Sequence, residues 1–138
     1  MYRTLKLVSI EKYLGGKELT PTTSVKIQIG EQIFCDSAIG NGPIDAGIKA
    51  INKIIQTHAP TIIIPTEEEI VSYNAHAIGH GGGATCGARF LVIQSEHKFS
   101  VTGDATDTDT IVASLKAYLD AVIQLNALTT AALIDKIF

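Results

Sequence analysis

The chain repeats its own plan at an offset of about 65 residues, and this self-similarity restricts its possible folds more than any other feature. In the first half, residues 24–29 alternate as a strand, Gly30 and Glu31 turn the chain, and 32–38 form a second strand. A glycine-rich break then leads into a helix. In the second half, residues 88–93 read as the strand, 94–97 as the turn and 98–102 as the next strand, with 103–110 as the break before a helix. Val25, Ile27 and Phe34 correspond to Phe90, Val92 and Phe99. Ile44, Ile48, Ile51 and Ile55 are spaced i, i+4, i+7, i+11, and so are Ile111, Leu115, Tyr118 and Val122, which gives each half one apolar helical stripe. Across the helices the offset has grown to about 67, so the second loop is longer by about two residues.

A further strand is expected before each hairpin, at 2–11 and at 68–76, so each half reads strand, strand, strand, helix. The repeats fall at about 1–58 and about 66–126. Two such units, each burying one helix face, predict an α+β fold with pseudo-twofold symmetry and antiparallel sheet layers packed with two helices. Gly15–Gly16 and 79–83 are expected as loops, and 127–138 as a C-terminal helical extension that packs on a partner subunit or back onto the domain.

At 138 residues the chain suits one domain. Its 11 basic and 14 acidic residues are scattered, without the cationic cluster that nucleic acid requires. The aliphatic run 62–64 lies between Pro60 and Pro65 and is far short of the roughly 20 residues of a bilayer span. No secretory apolar segment opens the chain, so a cytoplasmic address is expected. Cys35 and Cys86 are too few for a disulfide framework and are expected as reduced, packed thiols.

The sharpest local motif is residues 39–46, Ile-Gly-Asn-Gly-Pro-Ile-Asp-Ala. Gly40 and Gly42 permit positive φ, Pro43 suits the first helical position, and Asp45 opposes the helix dipole from the first turn. As a bare motif it is first of all a helix start. The N–H groups it leaves free can also bind a carboxylate, with Asn41, Asp45 or a facing aspartate receiving an ammonium. A dinucleotide fingerprint would need Gly or Ala where Asp45 stands, and no P-loop lysine is present. Residues 103–110 alternate acids as a calcium loop does but lack its glycine and distal glutamate, and Asp109 or Thr108 reads as the N-cap of the second helix. His76 and His80 have zinc spacing only on a helix, and the surrounding glycines argue for a loop. Neither Cys86 nor any serine sits in a nucleophile signature. No metal, cofactor or catalytic residue is assigned.

Residues 38–46 resemble the helix start of the regulatory domain that follows the catalytic barrel in 2-isopropylmalate, citramalate and some homocitrate synthases. Gly79-His80-Gly81, and Gly103-x-Ala105-Thr106-Asp107 running on to Ala113-Ser114-x-x-Ala117, are similar too, in the family's order. Residues 102–110 are longer and more acidic than the family's usual form. The resemblance implies a non-catalytic, amino-acid-sensing domain that forms a homodimer and gives feedback inhibition of a catalytic barrel attached in cis or trans. Leucine is the favoured effector, with an isoleucine-sensing citramalate synthase domain or a ligand-free dimerisation scaffold as alternatives. Carried over residue by residue, it implies an effector site of Gly40, Asn41, Gly42, Ile44 and Asp45 from the first loop. Ile70, Tyr73 and Ala77 would come from the strand beyond, and Gly103, Asp104, Ala105 and Thr106 from the second loop. Ile70, Tyr73 and Ala77 break a period of two and share a face only if their strand is bulged.

Overall fold

The computed structural model describes residues 4–16, 19–79 and 84–137. Its elements are β1 (Leu5–Gly16), β2 (Leu19–Ile29), β3 (Gln32–Ile39), α1 (Pro43–His58), β4 (Ile70–Ile78), β5 (Thr85–Ile93), β6 (Ser100–Asp107) and α2 (Thr110–Ile137). The strands form two antiparallel sheets, β1-β2-β3 (sheet A) and β4-β5-β6 (sheet B), each followed by its helix, as the repeat requires.

Alternation sets the faces. Val25, Ile27 and Ile29 on β2, and Ala88, Phe90 and Val92 on β5, point inward and are buried. Above them lie the helical stripes, Ala50, Ile51, Ile54 and Ile55 on α1, and Leu115, Tyr118, Val122 and Leu125 on α2. α1 packs on β2 and β3, while α2 packs on β5 and β6 and also on β1 of the other half. The helices meet where Gly47 leaves room for Leu115, whose Cδ1 lies 2.6 Å from any Cβ added there. Close by, the buried Tyr118 hydroxyl donates to Asn52 Oδ1 at 2.5 Å.

Several sequence expectations change. Gly15 and Gly16 are not loop but the end of β1, because β2 starts at Leu19 and extends the ladder (Leu14 opposite Thr22). Residues 103–107 are not the break before α2 but the second half of β6. Their alternation of small inward and polar outward residues carries the pairing of Phe90 with Gly103 on to Cys86 with Asp107. Cys86 is buried, whereas Cys35 is exposed rather than packed. The C-terminal extension continues α2 without interruption to Ile137, and Leu128, Leu133 and Ile134 remain exposed at 42%, 52% and 49%. These side chains do not fold back onto the domain. By length and composition, 110–135 is apolar enough to cross a bilayer, unlike the short run 62–64. Its buried stripe instead supplies much of the core. Tyr2, His80, the glycines 81–83 and Phe138 lie outside the described residues.

Candidate effector site

α1 begins with an N-cap that has no side chain to offer. Gly42 is extended (φ −170°), Pro43 follows, and no side-chain cap bond forms. Among the described residues the Ile44 and Asp45 N–H groups have no acceptor. Asp45 instead looks back into the loop. Its Oδ2 accepts the Asn41 N–H at 2.8 Å and pairs with Lys49 at 3.0 Å. The Asn41 N–H, helped by Lys49, holds this carboxyl below its ordinary range. Gly40 is required here, since a Cβ would lie 2.5 Å from the Ala46 nitrogen and 2.6 Å from Asp45 Oδ2. Gly42 has open space around it.

The β4 residues meet the condition set by their spacing. A register shift between Ile70 and Ser72 leaves Val71 as an extra residue, so Ile70 faces Val92, Tyr73 faces Phe90 and Ala77 faces Cys86. All three therefore share the face of sheet B that α2 covers farther along. The Tyr73 ring lies 4.7 Å from Phe90, and its hydroxyl shares a 2.6 Å hydrogen bond with Ser114 of α2. β6 splits its four predicted residues. Gly103 and Ala105 face α2, whereas Asp104 and Thr106 line a cleft of about 460 Å³ on the open face with Asn74, His76 and Arg89. There Arg89 Nε donates to Asp104 Oδ1 at 2.6 Å. Among the described residues no group of three or more His, Cys, Asp or Glu is placed to hold a metal.

The predicted residues thus occupy three places in one chain: the α1 start, the α2-facing side of sheet B, and its open face. Among the described residues α1 does not pack on sheet B. α2 lies between, with Ser114 on Tyr73 and the adjacent Leu115 over Gly47.

The other half of the repeat shows the same pieces assembled. β1 has a bulge at the equivalent place, between Leu7 and Ser9, so that Leu7 faces Ile27 and Ile10 faces Val25. This matches the pairing of Ile70 with Val92 and of Tyr73 with Phe90. Leu7 and Ile10 are therefore the repeat images of Ile70 and Tyr73. On the helix side, the offset of about 67 makes Asp107, Asp109, Ile111 and Val112 the images of Gly40, Gly42, Ile44 and Asp45. All six of these images line one groove of about 620 Å³ between β1 and α2, with Lys6, Glu11 and Lys116 at its rim. Sequence reasoning did not find this groove, although applying the repeat to the predicted site would have revealed it.

The two helix starts differ in their acidic residues. Asp109 caps α2, its Oδ1 accepting the N–H groups of Ile111 at 2.8 Å and Val112 at 3.1 Å. Asp107 accepts the Asp109 N–H at 3.0 Å and pairs with Lys116 at 3.0 Å, and these two contacts, the first the larger, hold its carboxyl below the ordinary range.

Residues 3–126 match the family described as the LeuA allosteric (dimerisation) domain. The chain belongs to that family. It is 38% identical over 108 residues to a 2-isopropylmalate synthase of Heliobacterium modesticaldum, covering 78% of this chain and 19% of that protein. Against a 2-isopropylmalate synthase of Methylacidiphilum infernorum it is 31% identical over 118 residues, 86% of this chain and 21% of the relative. It is also 32% identical over 121 residues to a putative (R)-citramalate synthase of Methanosarcina mazei, covering 86% of this chain and 23% of that protein. The chain spans about a fifth of the length of these relatives.

Proposed function

We propose that this chain is the non-catalytic, effector-sensing part of a 2-isopropylmalate-synthase-like enzyme, that its effector is leucine, and that the effector site forms between two copies of the chain. The observation that carries this reading is the assembled groove between β1 and α2. α2 lies on β1, yet among the described residues α1 does not pack on β4, the repeat-equivalent contact. Ala77 is exposed, and Tyr73 is 40% exposed despite its hydrogen bond to Ser114 of α2. A contact of this heterologous kind, left open at one end, closes when a second copy supplies the missing element. The α1 start of each protomer then meets β4 of its partner, and Gly40, Gly42, Ile44 and Asp45 face Ile70 and Tyr73 as their images do in the internal groove.

In that junction the free Ile44 and Asp45 N–H groups take the effector's carboxylate. The aliphatic side chain packs on Ile44 and Tyr73. Burying an isobutyl group contributes roughly 2–3 kcal/mol, against about 8 kcal/mol for micromolar affinity, so both charged ends must also be satisfied. Because the site spans two chains, the effector tightens their arrangement, and a catalytic barrel attached in cis or trans responds, giving feedback inhibition in a cytoplasmic setting. The resemblance to a putative citramalate synthase supports isoleucine as the second reading. Calorimetry on the purified chain with leucine, isoleucine, valine and lysine tests the proposal. Heat from leucine is expected, a preference for isoleucine moves the assignment to the second reading, and no heat from any of the four leaves a dimerisation scaffold.

A further inference from the structure

Resting on that reading of the interchain junction, we infer that the groove between β1 and α2 is the same kind of junction closed permanently by a built-in ligand group: the Asp109 carboxylate holds the place that the effector's carboxylate takes at Gly42. The two positions are repeat images. Asp109 Oδ1 accepts the N–H groups of Ile111 and Val112, and their images, Ile44 and Asp45, have N–H groups with no acceptor among the described residues. The walls correspond as well, since Leu7, Ile10 and Ile111 line the internal groove where Ile70, Tyr73 and Ile44 bound the other. Duplication has thus produced two junctions of one design. The internal one is fixed without a ligand, and the external one waits for its carboxylate. The helix starts differ at Gly40 against Asp107, Gly42 against Asp109 and Asp45 against Val112, and of these Asp109 is the residue whose carboxylate accepts the two N–H groups.

Position 42 accepts that residue. Gly42 has the extended φ of −170°, which any amino acid adopts, and a Cβ added there meets nothing within 4 Å. Gly42→Asp therefore installs the stand-in at the second junction. The variant chain is expected to behave without effector as the wild type does with it. In sedimentation experiments, saturating leucine should strengthen the wild-type dimer by about tenfold or more, within the usual range of coupling energies. Gly42→Asp should show the tightened dimer with no leucine added and give no calorimetric heat with it. Gly42→Ala fills the same space without a carboxylate and should not tighten the ligand-free dimer as Gly42→Asp does.

The inference is overturned if Gly42→Asp dimerises no more tightly than the ligand-free wild type, or if Gly42→Ala reproduces its behaviour. A wild type that binds none of the amino acids overturns both this inference and the reading beneath it, whereas failure of Gly42→Asp alone, with wild-type binding intact, overturns only the inference. Should Gly42→Asp not fold, Asp109→Gly tests the internal junction directly. Its melting temperature should fall, and sodium acetate should restore part of the loss that sodium chloride at equal ionic strength does not. Equal response to the two salts overturns the inference.

Discussion

Gly103→Ala separates two accounts of the second glycine motif. In a loop touching an effector, one methyl group would weaken ligand binding and leave stability almost unchanged. In the structure Gly103 lies in β6 beneath α2, where a Cβ would sit 2.1 Å from the Ala117 carbonyl oxygen, 2.4 Å from the Ala121 nitrogen and 2.7 Å from the Ala121 Cβ. Ordinary close C···O contacts fall at about 3.3–3.6 Å, so α2 has to retreat by about 1 Å at this point. A gap of that order forfeits about a quarter to a half of the dispersion energy along the opened contact. Ala113, Ala117, Tyr118, Ala121 and Leu125 are all buried on this helix, so the loss is shared by the centre of the core. Overpacking typically costs about 1–3 kcal/mol, and a clash with backbone rather than a flexible side chain belongs at the upper end. The reduced entropy of the unfolded alanine chain offsets about 0.4–1 kcal/mol. The net expectation is a loss of about 2–3 kcal/mol, or about 10 °C in melting temperature for a chain of this size.

Urea unfolding followed by circular dichroism, at one fixed protein concentration because dimerisation contributes to stability, measures the effect. The midpoint should fall by about 1 M or more with its slope unchanged. Gly42→Ala, added into open space, serves as the control and should stay within about 0.5 kcal/mol of wild type. If Gly103→Ala matches that control and loses effector binding instead, the strand–helix account of this glycine is refuted.

Asp109→Ala removes the cap from two N–H groups and should destabilise the chain by about 1 kcal/mol in the same assay, with Asp109→Asn retaining most of it. Tyr118→Phe leaves Asn52 Oδ1 without its donor between the helices and should cost about 1–2 kcal/mol by denaturant unfolding. Burial pushes the Tyr118 hydroxyl far above the usual tyrosine value of about 10, so its contribution is complete below that pH and is lost as pH climbs beyond it. An alkaline absorbance titration should show one tyrosine that ionises only on unfolding, and Tyr118→Phe should remove that phase. Asp45 titrates below its ordinary range because the Asn41 N–H, with Lys49, favours the carboxylate. Its contribution is therefore present above about pH 4 and lost on acidification below it, a loss that should be missing from the stability profile of Asp45→Asn.

The parts of this molecule legible in its sequence are those governed by periodicity. The stripes Ile44 to Ile55 and Ile111 to Val122 are helices, and Val25, Ile27, Phe90 and Val92 are core because one face of each sheet lies under a helix. Glycine was the poorer guide, since it marks breaks and close approaches alike. Gly79 sits at φ +90° at the end of β4, as a turn glycine does, whereas Gly103 marks a helix pressed onto a strand, and its neighbours gave no sign of the difference. The bulges at Val8 and Val71 were equally hidden, because an extra residue in a strand alters register without altering composition. Only the odd spacing of Ile70, Tyr73 and Ala77 hinted at the second.

The proposed effector residues posed a different difficulty. Their motifs were readable one at a time, but which of them meet depends on a contact that a single chain makes in one repeat and omits in the other. Among the described residues β1 has α2 packed along it, while β4 touches α2 at Tyr73 and Ser114 and is not packed under α1. A repeat copied without change would carry an aspartate cap at both junctions, and the interchain one would close as soon as two chains met. On the proposed reading, Gly42 breaks that equivalence at the position where the effector's carboxylate binds, and the state of the dimer then depends on a small molecule from solution. On this argument the glycine at the α1 start is selected less for the backbone angle it permits, which at φ −170° any residue adopts, than for the side chain it lacks.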